Sequence, residues 1–295
     1  MGTPGPETQG GALNTRKYDP REIKKANIIA FDKQARNYTK SRRQKFNTES
    51  AQCIIEKYQK VIGKNFAPVD RFLDIGCGCG NILLNLSLAG KVRCPHGIDI
   101  SQGMIDECYK NARKFGVDVT LLRGDAERLP YQDNCFDMVV GHGFLHHVPD
   151  YIAVFKETYR VLKPGKTCIF TEPSKTGSRI IAIVRWIVWL IPLSIRRLSK
   201  SKIEKMVEIH TFSPEELEEV ISKIGFSQVH TKPFAGFTSR IIYWMLDPIV
   251  RRFHNKYLYR MVNGLVNVLS VIDEKVFRLF IPKGWFDEVA IFARK

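Results

Sequence analysis

The sequence "RFLDIGCGCGN", residues Arg71 to Asn81, contains the strongest structural signal of the chain. Phe72, Leu73 and Ile75 form a short apolar run that is typical of a buried parallel strand. Glycines at G-x-G-x-G spacing follow, and a helix-forming stretch comes directly after them. A strand, a glycine-rich turn and a helix in this order predict a ligand site at the carboxyl end of the strand, because glycine lets the backbone approach a ligand closely.

Two features of this turn argue against a dinucleotide as the ligand. The dinucleotide fingerprint G-x-G-x-x-G needs a glycine at position 81, where this chain has Asn81. Asp74 stands two residues before Gly76, and its carboxylate suits a cationic ligand group better than a pyrophosphate. A glycine-rich turn without any ligand is the structural alternative.

Acidic residues also follow the next predicted strands. "HGIDIS" predicts a second strand that ends in Asp99, whose two carboxylate oxygens can accept hydrogen bonds from a ribose diol. "LLRGDAERLPYQDNCFDMVV" predicts a third strand, a polar turn that contains Asp125, and a fourth strand from Phe136 to Val140. Asp125 can accept from an adenine amino group. "RVLKPGKTCIFTEP" predicts the end of a helix, a Pro-Gly turn and a fifth strand.

In this order the motifs resemble the class I S-adenosylmethionine-dependent methyltransferases, particularly the small-molecule branch that includes the ubiquinone and menaquinone C-methyltransferases. The resemblance runs from about residue 31 to residue 234 and resumes in the last strand, "DEVAIFARK". It implies an α/β fold, namely a Rossmann-like, doubly wound, mostly parallel sheet of seven strands with helical hydrophobic insertions after strands five and six. It also implies S-adenosylmethionine as the cofactor and S-adenosylhomocysteine as the product. Lys166 departs from the family, which usually has a glycine there.

The resemblance also implies cofactor contacts. Asp74 and the glycine turn hold the methionine part, Asp99 the ribose and Asp125 the adenine, while residues 30–43 close over the cofactor. The full expected set is Tyr38, Asp74, Gly76, Gly78, Gly80, Asn81, Asp99, Ile100, Met104, Asp125, Ala126, Glu127 and His142.

The expected catalytic residues follow from the chemistry of methyl transfer. A sulfonium already activates the methyl group, so the protein mainly supplies alignment and a dry pocket. A general base is needed only where the acceptor must lose a proton. The candidates are His146 in "GHGFLHHVPD", Glu172 at the end of strand five, and His210 just before a helix with Ser213 as its expected N-cap. Structural packing is the alternative for the histidines. We expect no metal, because no Asp/Glu cluster is visible.

Two insertions are apolar and basic. Residues 174–208 contain "IIAIVRWIVWLIPLSIRRLSK", and residues 235–285 contain a second such stretch. A transmembrane helix needs about 20 apolar residues. The stretch from Ile180 to Ile195 is shorter, contains Arg185 and is interrupted by Pro192. We therefore expect a lid that also lies in the plane of a membrane surface. A plain helical cap and a homodimer interface are the alternatives.

The net charge of +16 predicts anionic partners. The excess of Lys and Arg is concentrated in residues 1–45, 174–205 and 235–285, where it is interleaved with apolar residues. This distribution favours methylation of a hydrophobic small molecule or lipid-like acceptor at an anionic membrane surface. An RNA methyltransferase is the alternative, although the chain has no NPPY-type tetrapeptide after strand four, and no DNA partner is expected. A protein that binds the cofactor without catalysis is a further alternative.

The expected domain organisation is simple. Residues 1–20 are polar and rich in glycine and proline, which predicts a disordered tail. Residues 21–295 are expected to form a single methyltransferase domain, with residues 46–173 as its cofactor-binding half. The seven cysteines show no paired metal-binding spacing and no signal peptide is visible. We therefore expect a cytoplasmic protein, peripheral at the inner face of a membrane.

Overall fold

A computed structural model describes residues 18–41, 44–177, 210, 212–233, 239, 241–242, 246, 256–286 and 288–295. Most of the expected tail and nearly all of the first insertion lie outside these residues, whereas the second insertion is described in part. In the described part of the chain, no helix has the length and apolar character that crossing a membrane requires.

The strands of the described residues form one seven-stranded sheet. They are β1 (Val69–Ile75), β2 (Val92–Asp99), β3 (Thr120–Arg123), β4 (Phe136–His142), β5 (Leu162–Pro173), β6 (Ser227–Pro233) and β7 (Glu288–Arg294). Their spatial order is β3-β2-β1-β4-β5-β7-β6. The first five strands pair in parallel, and β7 pairs antiparallel with β5 and with β6. The predicted α/β, Rossmann-like, mostly parallel sheet is confirmed.

Helices connect the strands and cover both faces of the sheet. The main ones are α1 (Pro20–Ser41), α2 (Thr48–Ile62), α3 (Asn81–Leu88), α4 (Gln102–Phe115), α5 (Tyr151–Val161), α6 (Pro214–Ile224) and α7 (Lys256–Ile272). A π-helical turn (Asp273–Phe277) and a short helix (Arg278–Phe280) continue α7, and 3-10 turns span Leu145–His147 and Lys283–Trp285. The Ser213 side chain accepts a hydrogen bond from the Glu216 backbone N–H at 3.2 Å, so the expected N-cap of α6 is confirmed.

The core has two layers, one on each face of the sheet, because successive side chains of a strand such as β1 point to opposite faces. Phe72 belongs to the cluster formed with the buried faces of α2, α3 and α4. Leu73 and Ile75 belong to the cluster formed with α5 and α6. The sheet is thereby held between two helical layers, which leaves the carboxyl ends of its parallel strands as the open edge.

The segment that follows α7 returns to this open edge at the end of β5. The Ser174 hydroxyl donates to the Phe286 carbonyl oxygen, and the Gly177 N–H donates to the Ser174 hydroxyl at 3.0 Å. A Cβ at Gly177 would lie 2.1 Å from the Phe286 oxygen, so no larger residue fits there. The close contact fixes the end of the second insertion beside the carboxyl end of β5.

Truncation of Phe155 tests the core beneath the open edge. Its ring is fully buried and lies 4.9 Å, centroid to centroid, from Phe170 of β5. We expect Phe155→Ala to lower the free energy of unfolding by about 3–5 kcal/mol, through lost transfer energy and a cavity. Urea denaturation measures this change. Ile152→Ala on the exposed side of α5 is the control and should change stability by about 0.5 kcal/mol at most. Equal losses in both variants would contradict the assigned core.

Candidate functional site

A cavity lies at the carboxyl ends of β1, β2 and β4. Its empty volume is about 760 Å³, counted with the open solvent at its mouth. Nine residues of the expected cofactor-binding set line it: Tyr38, Gly76, Gly78, Asp99, Ile100, Met104, Asp125, Ala126 and His142. The structure therefore brings together residues that are separated by more than a third of the chain, at the edge of the sheet where open α/β folds bind ligands.

The three glycines of the turn, Gly76, Gly78 and Gly80, all adopt positive φ angles but have different surroundings. At Gly78, with φ +51°, an added Cβ would meet no atom within 4 Å, and this residue lines the cavity. At Gly76 an added Cβ would lie 2.7 Å from the Phe144 ring. At Gly80 it would lie 2.6 Å from Cys108 Sγ. Gly80 is thus required for packing of α3 against α4, and its expected place in the cofactor site stays a prediction.

Asp99 joins the glycine turn to the end of β2. One carboxylate oxygen accepts from the Gly78 N–H at 2.9 Å, and the other accepts from the Ser101 N–H at 2.9 Å. Burial raises the pKa of Asp99 to about 6, although these backbone N–H groups act in the opposite direction. Each carboxylate oxygen keeps acceptor capacity beyond these bonds, so Asp99 can also accept from a ligand in the cavity.

Asp74 lies outside the cavity lining, buried near the glycine turn. Only 2% of the residue is exposed, and among the described residues no Lys or Arg forms an ion pair with it. Burial raises its pKa to about 8, the Leu83 backbone N–H opposes the shift, and the Asp99 carboxylate adds to it. A buried carboxyl group with this raised pKa is suited to a cationic ligand group.

Asp125 and Glu127 share Lys24 as a partner, and Glu127 has a second partner. The Lys24 ammonium donates to Asp125 Oδ2 at 2.6 Å and also to Glu127, and Glu127 Oε1 accepts from the Asp150 N–H at 2.9 Å. Asp125 lines the cavity, whereas Glu127 does not. Glu127 connects α1 to the start of α5, and its expected role in the cofactor site stays a prediction.

Asn81 makes its hydrogen bonds within α3, and its expected cofactor contact stays a prediction. It is the first residue of α3, and both its backbone and side-chain oxygens accept from the Asn85 amide, at 2.8 and 3.4 Å. It does not line the cavity. These hydrogen bonds between Asn81 and Asn85 support the first turn of the helix.

Helix α1 forms one wall of the cavity. Tyr38 was expected there from the sequence, and the structure adds Lys24, Asn27 and Phe31. These four residues are spaced by three, four and seven positions, which places them on one face of a helix. That spacing is the signal by which the sequence could have identified them. Asp32 fastens the helix, since its Oδ1 accepts from the Ser101 hydroxyl at 2.5 Å and the Gly103 N–H at 2.9 Å.

His142 is held on both sides of its ring. Nε2 lies 2.6 Å from the Tyr58 hydroxyl, and Nδ1 lies 2.7 Å from the Thr171 hydroxyl. Burial, together with the nearby Lys57 charge, lowers the pKa of His142 to about 3. The ring is therefore neutral at physiological pH, and it lines the cavity without a nitrogen that is free to take a proton.

The three expected catalytic residues lie behind the cavity and do not line it. Glu172 is fully buried, accepts from the Phe144 and Leu145 N–H groups at 3.0 and 2.9 Å, and pairs with His146 Nδ1 at 2.7 Å. His210 is 7% exposed, and its Nε2 lies 3.3 Å from the Pro149 carbonyl oxygen. These contacts stabilise the turn after β4, and the expectation that these side chains act directly on the acceptor stays a prediction.

His147, the neighbour of His146, is the histidine of this turn that lines the cavity, as His142 of β4 also does. The 3-10 turn Leu145–His147 explains the difference, because three residues per turn place adjacent side chains about 120° apart. The His147 ring meets Phe31 edge to face at 5.1 Å and lies 3.8 Å from the His146 ring, centroid to centroid. Its carbonyl oxygen accepts from the Asn27 amide at 2.7 Å.

Comparison with known proteins identifies the family. A family model described as a methyltransferase domain matches residues 72–165. Demethylmenaquinone methyltransferase of Staphylococcus saprophyticus is 34% identical over 172 residues, which cover 56% of this chain and 73% of the relative. The enzyme of the same name from Staphylococcus aureus is 35% identical and is covered over 70% of its length.

The chain belongs to the class I S-adenosylmethionine-dependent methyltransferases. It is therefore an enzyme with S-adenosylmethionine as its cofactor, and the alternative of a non-catalytic binding protein is set aside. The resemblance to menaquinone methyltransferases, first visible in the sequence motifs, is confirmed.

Solved structures show the same fold at lower identity. Phosphoethanolamine N-methyltransferase 2 of Haemonchus contortus, in complex with S-adenosylhomocysteine, matches with a TM-score of 0.59 and 18% identity over 94% of this chain and 61% of that chain. A putative sarcosine dimethylglycine methyltransferase from Galdieria sulphuraria matches with a TM-score of 0.53 and 15% identity, over 84% and 85% of the two chains.

The donor set of this methyltransferase fits the cofactor. By the family resemblance, Asp74 would hold the ammonium of the methionine part, Asp99 would accept from the ribose hydroxyls, and Asp125 would accept from the adenine amino group. Gly78 leaves room for the backbone to approach the ligand. When bound, the cofactor supplies a methyl group activated on a sulfonium.

Replacement of Asp74 tests this fit and its electrostatic cost. A carboxyl group whose folded-state pKa is raised to about 8 binds a proton more tightly in the folded protein, so it destabilises that state increasingly as pH rises toward 8. Asp74→Asn should raise the Tm of the cofactor-free protein at pH 8 by about 4 °C or more. It should also weaken cofactor binding by about tenfold to a hundredfold, because a charge-assisted bond is lost.

Differential scanning calorimetry and titration calorimetry measure the two effects. Asp70→Asn on the same strand is the matched control, since Asp70 is a surface carboxylate paired with Arg93. A variant of Asp74 with unchanged cofactor affinity would remove Asp74 from the binding site.

Proposed function

We propose that this methyltransferase methylates a hydrophobic small-molecule or lipid-like acceptor, such as an isoprenoid quinone precursor, a sterol or a polyketide. The observation that carries the proposal is the composition of the cavity beyond the expected cofactor contacts. That part is formed largely by Phe31, Phe144, Val148 and Pro149. An apolar wall suits an apolar acceptor and keeps water from the reacting atoms. The similarity to demethylmenaquinone methyltransferases supports the same class of acceptor.

His147 is the proposed general base. Transfer to a carbon beside a phenol, or to a hydroxyl, releases a proton that must be taken up as the new bond forms, while the sulfonium becomes a neutral thioether. His147 lines the cavity, whereas His146, Glu172 and His210 do not. The contact with Phe31 orients the His147 ring beside the apolar wall.

His147→Ala should lower kcat by about 10²- to 10⁴-fold, the usual contribution of a general base. Cofactor affinity should change little, because the expected cofactor contacts lie elsewhere. Steady-state kinetics and titration calorimetry give the two quantities. His210→Ala is the comparison: it removes a buried ring that packs on Phe212, so it should affect stability more than kcat. A His147 variant that loses turnover and cofactor affinity equally would have a structural role instead.

The proposed site of action is the cytoplasmic, inner face of a membrane. The net charge of +16 and the basic, apolar insertions support an anionic surface as the place where the acceptor is taken up. A homodimer formed through the same insertions remains an alternative arrangement.

The acceptor class is tested by incubating the purified protein with methyl-labelled S-adenosylmethionine and a total extract of its source cells. The mixture is then partitioned between organic solvent and water. Label in the organic phase is expected, and the mass of the product identifies the acceptor. Label that stays in water and is released by ribonuclease would replace the proposal with RNA methylation.

A further inference from the structure

Helix α7 has an exposed apolar face. It consists of Tyr257, Met261, Leu265, Val268 and Ile272, which are all exposed. Their spacing of three and four residues places them within roughly a third of the helix circumference, at 3.6 residues per turn. Val262, on the other side of the helix, is 5% exposed. The helix therefore packs inward through one apolar side and presents a second apolar side outward.

The exposed face of α7 is continued by the turns that follow the helix. Val276, Leu279, Phe280 and Trp285 are exposed, with Phe280 at 79% of its full area. Met261 and Val268, in the middle of the face, are 66% and 59% exposed. A contiguous apolar surface of this kind is uncommon on a monomeric soluble domain and marks a site of interaction.

The charges around this face indicate what covers it. Residues 261–272 contain no charged side chain. Bases stand before and after them in the sequence: Arg251, Arg252, Lys256 and Arg260 on one side, and Lys275, Arg278 and Lys283 on the other. Of the acidic residues in this segment, Asp273 is buried and accepts from the Ser239 N–H and hydroxyl at 2.9 and 2.6 Å. An apolar centre between basic ends matches acyl chains beneath anionic headgroups.

A second copy of the chain is a poorer match for this surface. Two-fold symmetric pairing of the face would bring basic ends of α7 together in either a parallel or an antiparallel arrangement. Besides buried Asp273, the segment 256–286 supplies Glu274 as its single acidic residue to offset this repulsion. An anionic lipid surface supplies the missing charge, whereas a second copy does not.

We propose that the exposed face of α7 lies in the plane of an anionic bilayer. The inference rests on the proposed function and deepens it, because it assigns the membrane contact to one helix. The segment after α7 is fixed beside the carboxyl end of β5 by the contact between Ser174 and Phe286. This is the same edge of the sheet as the cavity, so a helix docked here holds the mouth of the site near the lipid from which an apolar acceptor leaves.

The test is flotation of the full chain with phosphatidylcholine vesicles, prepared with and without phosphatidylglycerol. The wild-type protein should float with the anionic vesicles and release as ionic strength rises. The vesicle affinity of the double variant Met261→Gln, Val268→Gln should be lower by about tenfold or more, because two apolar side chains no longer enter the interface. The matched control is Leu88→Gln, Ile152→Gln, which replaces exposed apolar residues outside the face and should bind as the wild type does.

Three outcomes overturn the inference. Undiminished vesicle binding by the Met261, Val268 variant would show that another surface docks. Absence of vesicle binding, with a dimer in light scattering that the variant dissociates, would assign the face to a second copy. Absence of both, with the face protected from hydrogen exchange, would assign it to another part of this chain, such as the apolar stretch Ile180–Ile195.

Methyl transfer to a detergent-dispersed extract, measured on the same preparations, separates this inference from the proposed function. The variant should retain that activity, because its substitutions lie outside the cavity lining. Loss of transfer to lipid extract in every preparation, with vesicle binding intact, would contradict the proposed acceptor and leave the membrane contact standing.

Discussion

The hydrogen bond from the Gly78 N–H to the Asp99 carboxylate, 2.9 Å long, is the contact on which the site depends. It joins the turn after β1 to the end of β2, while the second oxygen of Asp99 supports the start of α4 through Ser101. Gly78 can accept this position because its φ is +51° and no Cβ is present. One carboxylate therefore sets the shape of the turn, the start of a helix and a wall of the cavity.

This arrangement brings acidic groups together in a buried place, which lowers the free energy of unfolding of the cofactor-free protein. Burial raises the pKa of Asp74 to about 8 and that of Asp99 to about 6, and the Asp99 carboxylate adds to the shift at Asp74. At the far end, Lys24 offsets the charge of Asp125 from helix α1. A cationic cofactor group bound at Asp74, as the resemblance implies, would stabilise its carboxylate, so cofactor binding and folding stability would be coupled through this residue.

The sequence predicted the site best where a residue type is dictated by backbone geometry or by strand order. The glycine turn and the acidic strand ends are of this kind, and they placed Gly78, Asp99 and Asp125 in the cavity. The sequence was less informative where the direction of a side chain depends on a short turn. Nothing in "LHHV" distinguishes His146 from His147, since the choice is made by the 3-10 turn and by the buried Glu172. The contacts of Glu127 could not be predicted for a similar reason, because its partners Lys24 and Asp150 come from distant elements.

Helices α1 and α7 both lie near the open edge of the sheet, but they present their side chains in opposite directions. Helix α1 turns its lining residues inward and is fastened by Asp32 to α4, so it completes the cofactor side of the cavity. Helix α7 turns apolar residues outward, although it is joined through Phe286 to the end of β5. In the proposed function, the parallel half of the sheet would keep the geometry that methyl transfer requires, while the insertion between β6 and β7 would bring the same edge to a membrane. A hydrophobic acceptor would require that division, because the cofactor would reach the site from water and the acceptor from an apolar phase.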